Sequence, residues 1–300
     1  MNHGESPTPP PGTITVRVGC ALAYEASKPV PILLLFRPRP SGQQVLFDEQ
    51  LQLSGCTRAD QIVDSHGNVL LKAMLTPGRN EFRHDAIMFV PDQTDNHALP
   101  AETIPIEQLP AEVLRYTLPS RYCESDRLLW FAQQTFGHLA PGIERVQAVC
   151  EWTHRNIEYR YGSGSGLLSA CDVIARGYGV CRDFAHIMVA LCRALDIPAR
   201  YVAGHMPLVP AGGAPKGDIG IDFHAYCEVY LGGHWHTYDP RHNRPHPGRI
   251  KIAHGMDAVD AAFATFYGDA VPVQYQVWAY QVDHGTVRAG DPITIIAGTD

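Results

Sequence analysis

The chain has 300 residues, of which 45% are hydrophobic and 18% are charged, and its formal net charge is −7. This composition is typical of a globular protein, with a length sufficient for roughly two domains. The net negative charge and the lack of a basic run exclude a general nucleic-acid-binding protein, because neutralising phosphates requires clustered cations. We therefore expect a globular protein without a nucleic-acid partner.

The N-terminal segment, residues 1–12, is polar and rich in proline. It has neither the positive charge nor the apolar core of a secretory signal, and no apolar run approaches the ~20 residues that span a bilayer. We predict that this segment is disordered, that the protein has no membrane partner and that it is cytoplasmic.

Eight cysteines are present. In a reducing compartment they are expected to be free thiols rather than a disulfide framework. Four of them stand in apolar patterns that are typical of small core residues: Cys20, Cys150, Cys192 and Cys227. Few of the eight are therefore expected to be reactive.

Alternating apolar residues between Thr13 and Tyr24 are typical of a half-buried strand. Further strand-like runs are separated by turn residues and span Pro31–Phe36, Gln44–Leu53, Val69–Leu75 and Glu81–Val90. Short strands at this spacing predict a β-rich N-terminal domain over residues 13–110, built as a small antiparallel sandwich.

A proline-rich stretch between Leu99 and Pro119 is typical of a linker. We place the domain boundary there, with a second domain over residues 111–300. In this domain the apolar period is that of helices. Ser125 is expected to cap one helix. One face of a second helix is marked by Ile143, Val146, Cys150, Thr153 and Ile157.

Cys181 follows two closely spaced glycines, Gly177 and Gly179, and precedes an amphipathic helix that ends before Pro198. Ser169 is expected to cap a short helical turn just before it. A side chain in the first turn of a helix lies near unpaired N–H groups, where the helix dipole favours an anion. Cys181 is therefore a candidate thiolate nucleophile.

A predicted hairpin offers a base and a carboxylate for this thiol. Strand-like alternation over residues 222–231 is followed by Gly232-Gly233, a typical two-residue turn, and by a second strand over residues 234–239. If the residues flanking the turn pair with each other, His224 and Asp239 are diagonal neighbours on one face, within reach of a hydrogen bond. A bulge at the glycines would turn Asp239 to the other face.

Three blocks of sequence resemble those of the transglutaminase-like superfamily, in the family's order. The cysteine block is Gly179-Val180-Cys181-Arg182-Asp183-Phe184-Ala185-His186 followed by Ile197–Gly204. The histidine block is Asp222-Phe223-His224-Ala225-Tyr226, and the aspartate block is Trp235-His236-Thr237-Tyr238-Asp239-Pro240. The resemblance covers roughly residues 125–260. The preceding region, with Leu118–Cys123, is similar to the β-rich domain found ahead of bacterial members.

The resemblance implies an α+β fold with a papain-like transglutaminase core, in which the helix bearing the cysteine packs on an antiparallel sheet behind a small β-sandwich-like domain. It implies Cys181 as nucleophile, His224 as base and Asp239 as orienting acid, with no cofactor and no metal. The chain has no room for the extra β-domains of animal transglutaminases and no calcium-loop motif. We therefore expect the protein to hydrolyse a peptide or protein amide, or an isopeptide bond, rather than to crosslink proteins.

The sequence leaves two other functions open. The protein could be a true amine-transferring transglutaminase, or a non-catalytic module that binds peptides or assembles partners. His186 is a second candidate base, His205 a candidate for the substrate cleft and Trp152 a candidate oxyanion donor beside the N–H of Cys181. A metal cluster is a further interpretation, with four ligands expected to face away from His224: His234, His236, His242 and His246.

Overall fold

The computed structural model describes residues 8–39, 41, 44–93, 95, 101–210 and 221–293. Of the segment predicted to be disordered, residues 1–7 lie outside these ranges. Within them, no helix is both long and apolar enough to cross a membrane.

The N-terminal half of the chain contributes six strands. They are β1 (Thr13–Ala26), β2 (Val30–Leu34), β3 (Val45–Ser54), β4 (Thr57–Val63), β5 (Val69–Leu75) and β6 (Gly78–Pro91). Five of them match the runs predicted from alternating hydrophobicity. The sixth, β4, was not predicted, because its seven side chains are all exposed and show no apolar period.

After β6 the chain forms mainly helices as far as α5, and then six strands. Two 3-10 helices, Ile106–Gln108 and Arg115–Thr117, flank α1 (Ala111–Leu114). There follow α2 (Ser125–Phe136), α3 (Ile143–Asn156), β7 (Glu158–Tyr159), α4 (Ala170–Arg176), β8 (Tyr178–Gly179) and α5 (Cys181–Ala194). The last six strands are β9 (Ala199–His205), β10 (His224–Leu231), β11 (His234–Tyr238), β12 (Ile250–Gly255), β13 (Ala264–Phe266) and β14 (Ala270–Gln281).

Two four-stranded antiparallel sheets form the predicted sandwich, in the orders β14-β1-β6-β3 and β13-β2-β5-β4. Their facing sides share one core that includes Leu22, Ile32, Leu75 and Phe82. The strands β13 and β14 pair with β2 and β1. The predicted division between residues 110 and 111 therefore does not separate the strands of these sheets, because two of them return from the far end of the chain.

A buried ion pair joins three strands of the first sheet. Arg17 on β1 donates from Nη2 to Oδ2 of Asp85 on β6 at 2.6 Å, and both side chains are almost fully buried. The indole Nε1 of Trp278 on β14 donates to Oδ1 of the same carboxylate at 3.0 Å. The carboxylate of Asp85 thus ties the returning strand to the sheet.

Replacing Asp85 with asparagine is expected to lower the free energy of unfolding by about 3–5 kcal/mol, because Arg17 would remain buried without a counter-charge. Chemical denaturation measures this change. The matched change Glu81→Gln removes a carboxylate from an exposed pair with Arg79 and should leave stability nearly unchanged. Equal losses in the two variants would contradict the importance assigned to the buried pair.

The second half of the chain builds a layer of helices on the sheet β11-β10-β9-β12. Helix α5 lies in the centre of this layer, where Phe184, Met188 and Leu191 share a core with Cys227 and Val229 of β10. Side chains alternate along a strand, so Tyr226 and Glu228 lie on the opposite face. This arrangement confirms the predicted packing of the cysteine-bearing helix on an antiparallel sheet.

The hairpin β10–β11 has the predicted register. Leu231 pairs with His234, and the pairing continues without a shift to Cys227 and Tyr238. Gly232 and Gly233 both have positive φ, 55° and 86°, as a two-residue turn that matches strand twist requires. The bulge that would have turned Asp239 away is not present in this described hairpin.

Of the two predicted helix caps, one is confirmed and the other is displaced by one residue. Ser169 caps α4 as expected, with its hydroxyl accepting from the N–H of Asp172. Ser125 is instead the first residue of α2, and Glu124 occupies the cap position without a side-chain cap bond. The prediction for Ser125 was therefore wrong by one residue.

Candidate active site

Cys181 is the first residue of α5, and Val180 before it has extended backbone, with φ −108° and ψ 174°. The carboxylate of Asp183 accepts the N–H of Val180 at 3.0 Å. The same buried carboxylate pairs with Arg176 at 3.2 Å and with Arg182 at 3.1 Å. These contacts hold the start of the helix, and with it the thiol, near the positive end of the helix dipole.

Gly179 lies against this carboxylate. A Cβ atom at residue 179 would stand 2.8 Å from Cβ of Asp183, closer than side-chain atoms normally approach each other. A larger residue would therefore displace Asp183 and the helix start that it holds. The glycine before the cysteine acts here through close packing as well as through chain flexibility.

His224 and Asp239 form a buried hydrogen bond, with Nε2 and Oδ2 2.8 Å apart. His224 begins β10 and Asp239 directly follows β11, so the pair is the diagonal expected from the hairpin register. Cys181 is close enough to His224 to contribute to the raised pKa of its ring. Because Nε2 is bonded to Asp239, Nδ1 is the ring nitrogen left to face the thiol.

The pKa values of the histidine and the carboxylate move apart. Burial lowers the pKa of His224, but the charge and hydrogen bond of Asp239, followed by the contact with Cys181, raise it to about 9. Burial raises the pKa of Asp239, but the charges of His224 and Arg249 outweigh this and hold it well below its usual range. Arg249 Nη1 lies 3.0 Å from Asp239 Oδ2. At neutral pH the pair is therefore an imidazolium beside a carboxylate.

The raised pKa of His224 predicts a pH-dependent stability. A histidine whose pKa rises on folding stabilises the folded state fully below its unfolded value of 6.5, and this stabilisation is lost as the pH rises through about 9. We expect His224→Gln to lose on the order of 3 kcal/mol at about pH 6 and much less near pH 10. Urea denaturation of both proteins measures the difference, and a loss that grows with pH would contradict this account.

Cys181 and His224 line the same cavity, whose volume is about 620 Å³. The described lining is mostly apolar, and Arg182, Asp222 and the His224 imidazolium are its charged members. Aromatic side chains form much of the wall: Tyr122, Tyr159, Tyr161, Tyr201, Phe223 and Phe263. Asp239 lies behind His224, away from this space.

The other cysteines are in different surroundings. Five of the eight are buried: Cys20, Cys123, Cys150, Cys192 and Cys227. Burial raises the pKa of the Cys192 thiol to about 12. Cys56 and Cys171 are partly exposed, and burial, followed by contact with Glu124, raises the pKa of Cys171 to about 12. Cys181 is the cysteine in the described lining of the cavity.

The alternative interpretation of four histidines as a metal cluster finds no such group among the described residues. Nε2 of His236 bonds to the carbonyl of Leu231 at 3.2 Å, and Nδ1 of His246 bonds to the carbonyl of Pro247 at 2.7 Å. His242 does not face away from His224 as expected, because their ring centres are 5.3 Å apart. The loop after Asp239 turns back toward β10, and strand alternation could not predict this.

His242 gives the described part of the chain one close group of possible metal ligands, together with His224 and Asp239. The ligand atoms of the latter two residues are already hydrogen-bonded to each other. Burial lowers the pKa of His242 to about 3, so its ring is neutral near pH 7. The group therefore fits a histidine–carboxylate pair with a neutral neighbour.

The remaining alternative residues lie outside the cavity. His186 is buried, stacks on Tyr122 with ring centres 4.9 Å apart, and accepts the N–H of Ala258 through Nε2. His205 is fully buried and does not line the described cavity wall. Trp152 packs at 5.2 Å from Phe131, between helices, rather than beside Cys181. None of the three is placed to act on a group bound next to the thiol.

Comparison with known proteins supports the interpretation of the fold. A protein of Cytophaga hutchinsonii, provisionally described as a cysteine protease, has a solved structure that is 31% identical to this chain. Its TM-score is 0.80, over 92% of this chain and 93% of that one.

Two curated relatives match over a shorter region. An uncharacterized protein of Mycobacterium leprae is 30% identical over 124 residues, which are 39% of this chain and 42% of that protein. One from Mycobacterium tuberculosis is 28% identical over 143 residues, 45% of each chain. The match thus spans less than half the length of these relatives. The sequence model of the transglutaminase-like superfamily matches residues 130–240, which contain Cys181, His224 and Asp239. With a relative at 31% identity over nearly its whole length, the chain belongs to the transglutaminase-like superfamily.

Proposed function

We propose that this protein is a thiol enzyme that hydrolyses an amide, peptide or isopeptide bond through Cys181, His224 and Asp239. The observation that carries the proposal is the 2.8 Å bond between His224 and Asp239 beside Cys181, with the thiol and the imidazole open to one cavity. A nucleophile, a base and a group that orients the base are the components of covalent acyl transfer. The provisional description of the Cytophaga relative as a cysteine protease supports the same reaction class.

In this mechanism the thiolate of Cys181 attacks the carbonyl carbon of the substrate, and the carbonyl oxygen becomes an oxyanion. The backbone N–H of Cys181, at the start of α5, is the donor that we assign to that charge. The imidazolium of His224 then gives its Nδ1 proton to the leaving amine, and the C–N bond breaks. A thioester remains on Cys181.

Hydrolysis of the thioester reverses the proton movement. The now neutral His224 takes a proton from water, the hydroxide attacks the thioester carbonyl and the thiolate leaves. Asp239 keeps the ring in the tautomer with a proton on Nε2 and stabilises its charge in both steps. The apolar, aromatic cavity fits an acyl group with an apolar side chain better than a charged one.

The choice between water and an amine is tested on one preparation. The full chain is incubated with a mixture of peptide amides, with and without a primary amine in excess, and the products are identified by mass. We expect cleavage products that carry the elements of water in both samples. Amine adducts in the second sample would show a true transglutaminase. Saturable peptide binding without any product would favour a non-catalytic module.

We also propose a cytoplasmic location. All eight cysteines are free thiols in the structure, as expected for a protein of a reducing compartment. Cell fractionation with thiol-blocking at lysis tests this location. Recovery in the periplasmic or secreted fraction would overturn it.

A further inference from the structure

A second cavity, of about 550 Å³, lies against the face of the β9–β12 sheet that points away from α5. Tyr226 and Glu228 of β10 line it, while their neighbours Cys227 and Val229 lie in the core beneath α5. The described linings of the two cavities have no residue in common. The two cavities are therefore different spaces, although Arg249 of the second cavity also pairs with Asp239 of the proposed active site.

The second cavity has an excess of positive charge. Four cations line it, Arg39, Arg200, Arg249 and Lys251, against two carboxylates, Asp95 and Glu228. Four less two leaves two positive charges in excess. The lining histidine His254 adds none, because burial and then the charge of Arg200 lower its pKa to about 2.

The pairing inside the cavity leaves one cation without a carboxylate contact. Arg200 and Lys251 both pair with Glu228, the first at 2.5 Å. Arg39 instead donates to the carbonyl of His66 at 2.8 Å and to Oδ1 of Asn68 at 3.0 Å. Among the described residues Arg39 has no ion pair within contact distance. Glu228 thus pairs with two of these three cations and leaves Arg39 without a carboxylate contact.

These cations act on one another. Burial lowers the pKa of Lys251, Glu228 opposes this effect, and the charges of Arg200 and Arg39 add to it, so that the pKa falls to about 8. An anion placed between these cations would relieve their mutual repulsion and the cost of their burial.

Arg249 gives an independent indication of a missing acceptor. Its side chain is only 6% exposed, Nε donates to Asp95 Oδ2 at 2.7 Å, and Nη1 lies near Asp239. Nη2 is nevertheless buried without a hydrogen-bond partner among the described residues, and Nη1 has only the charged contact with Asp239. Buried guanidinium N–H groups normally have an acceptor, and this residue lines the cavity.

We propose that the second cavity binds a small anionic molecule through a phosphate or carboxylate group held by Arg39, Lys251 and Arg249. Guanidinium groups match the two oxygens of such a group in planar, paired hydrogen bonds. The volume leaves space for more of the ligand than the anionic group alone. This site goes beyond the proposed function and does not depend on it.

Isothermal titration calorimetry on the full chain tests the site with two probes, inorganic pyrophosphate and citrate, in a buffer of low ionic strength. We expect saturable binding of at least one probe, and the probe that binds distinguishes a phosphate ligand from a carboxylate ligand. Arg39→Gln and, separately, Lys251→Gln should each weaken binding by about tenfold or more. Lys251→Gln keeps the Arg200–Glu228 pair, so it serves if the first variant does not fold.

Three further variants separate a specific site from general charge. Arg155→Gln removes a charge from an exposed pair on α3 and should bind the probe as the wild type does. Cys181→Ala should also bind normally, which separates this site from the proposed active site. Glu228→Gln removes a competing carboxylate and should strengthen binding. The proposal is overturned if neither probe binds, or if both Arg39→Gln and Lys251→Gln bind as tightly as Arg155→Gln.

Discussion

Replacing Cys181 with alanine is expected to lower the turnover of an amide substrate by about 10⁴-fold or more, because the variant lacks the nucleophile proposed to form the acyl-enzyme. The cavity that contains Cys181 includes no second cysteine in its described lining. The measurement is kcat for whichever peptide amide the wild type cleaves, together with the mass of the protein during turnover. The wild type should show a covalent acyl adduct, and the variant should show none.

Cys171→Ala is the matched control for this experiment. Cys171 is also partly exposed, but it lies on α4 beside Glu124 rather than in the cavity. Its replacement should leave turnover and the acyl adduct unchanged. Full activity in the Cys181 variant would rule out the proposed nucleophile.

Replacing Asp239 with asparagine is expected to lower kcat by about 10³–10⁴-fold while Cys181 and His224 remain in place. The amide is nearly the same size, but it can donate a hydrogen bond to Nε2 of His224 and so favour the wrong tautomer. The substitution also removes the negative charge that holds the pKa of His224 near 9. The variant should therefore differ from the wild type in its pH–rate profile as well as in its rate.

The pH–rate profile separates this positioning role from a loss of folding. In the wild type, kcat/KM should fall as the pH rises through about 9, where His224 loses the proton that the leaving amine needs. In Asp239→Asn this fall should occur at a lower pH. Asp269→Asn, an exposed aspartate on the segment before β14, should keep the wild-type profile. An unchanged profile in Asp239→Asn would contradict the assigned role.

Local signals in the sequence predicted where the three candidate residues lie, while their roles came from the resemblance to the family. The pair Gly232-Gly233 determines a two-residue turn, and this turn with strand alternation determines which residues share a face. The diagonal between His224 and Asp239 follows from these two facts. The position of Cys181 at a helix start follows from the glycines before it and from the helical period after it.

Contacts between distant segments could not be predicted in the same way. Arg249, the residue before strand β12, reaches Asp239, and the loop after Asp239 brings His242 beside His224. The return of β14 to pair with β1 likewise depends on tertiary packing. Neither hydrophobic period nor turn residues contain information on which distant strands meet, so these features required the structure.

The central claim, that Cys181 is the activated nucleophile, is tested most directly by alkylation of the folded protein. Iodoacetamide is added near pH 7, the number of modified sites is followed by intact mass, and the modified residue is mapped by peptide mass. We predict that one site reacts rapidly and that it is Cys181, while the other seven thiols react at least about tenfold more slowly because burial disfavours their thiolates. Faster modification of Cys56 or Cys171, or an unreactive Cys181 in the folded protein, would contradict the account.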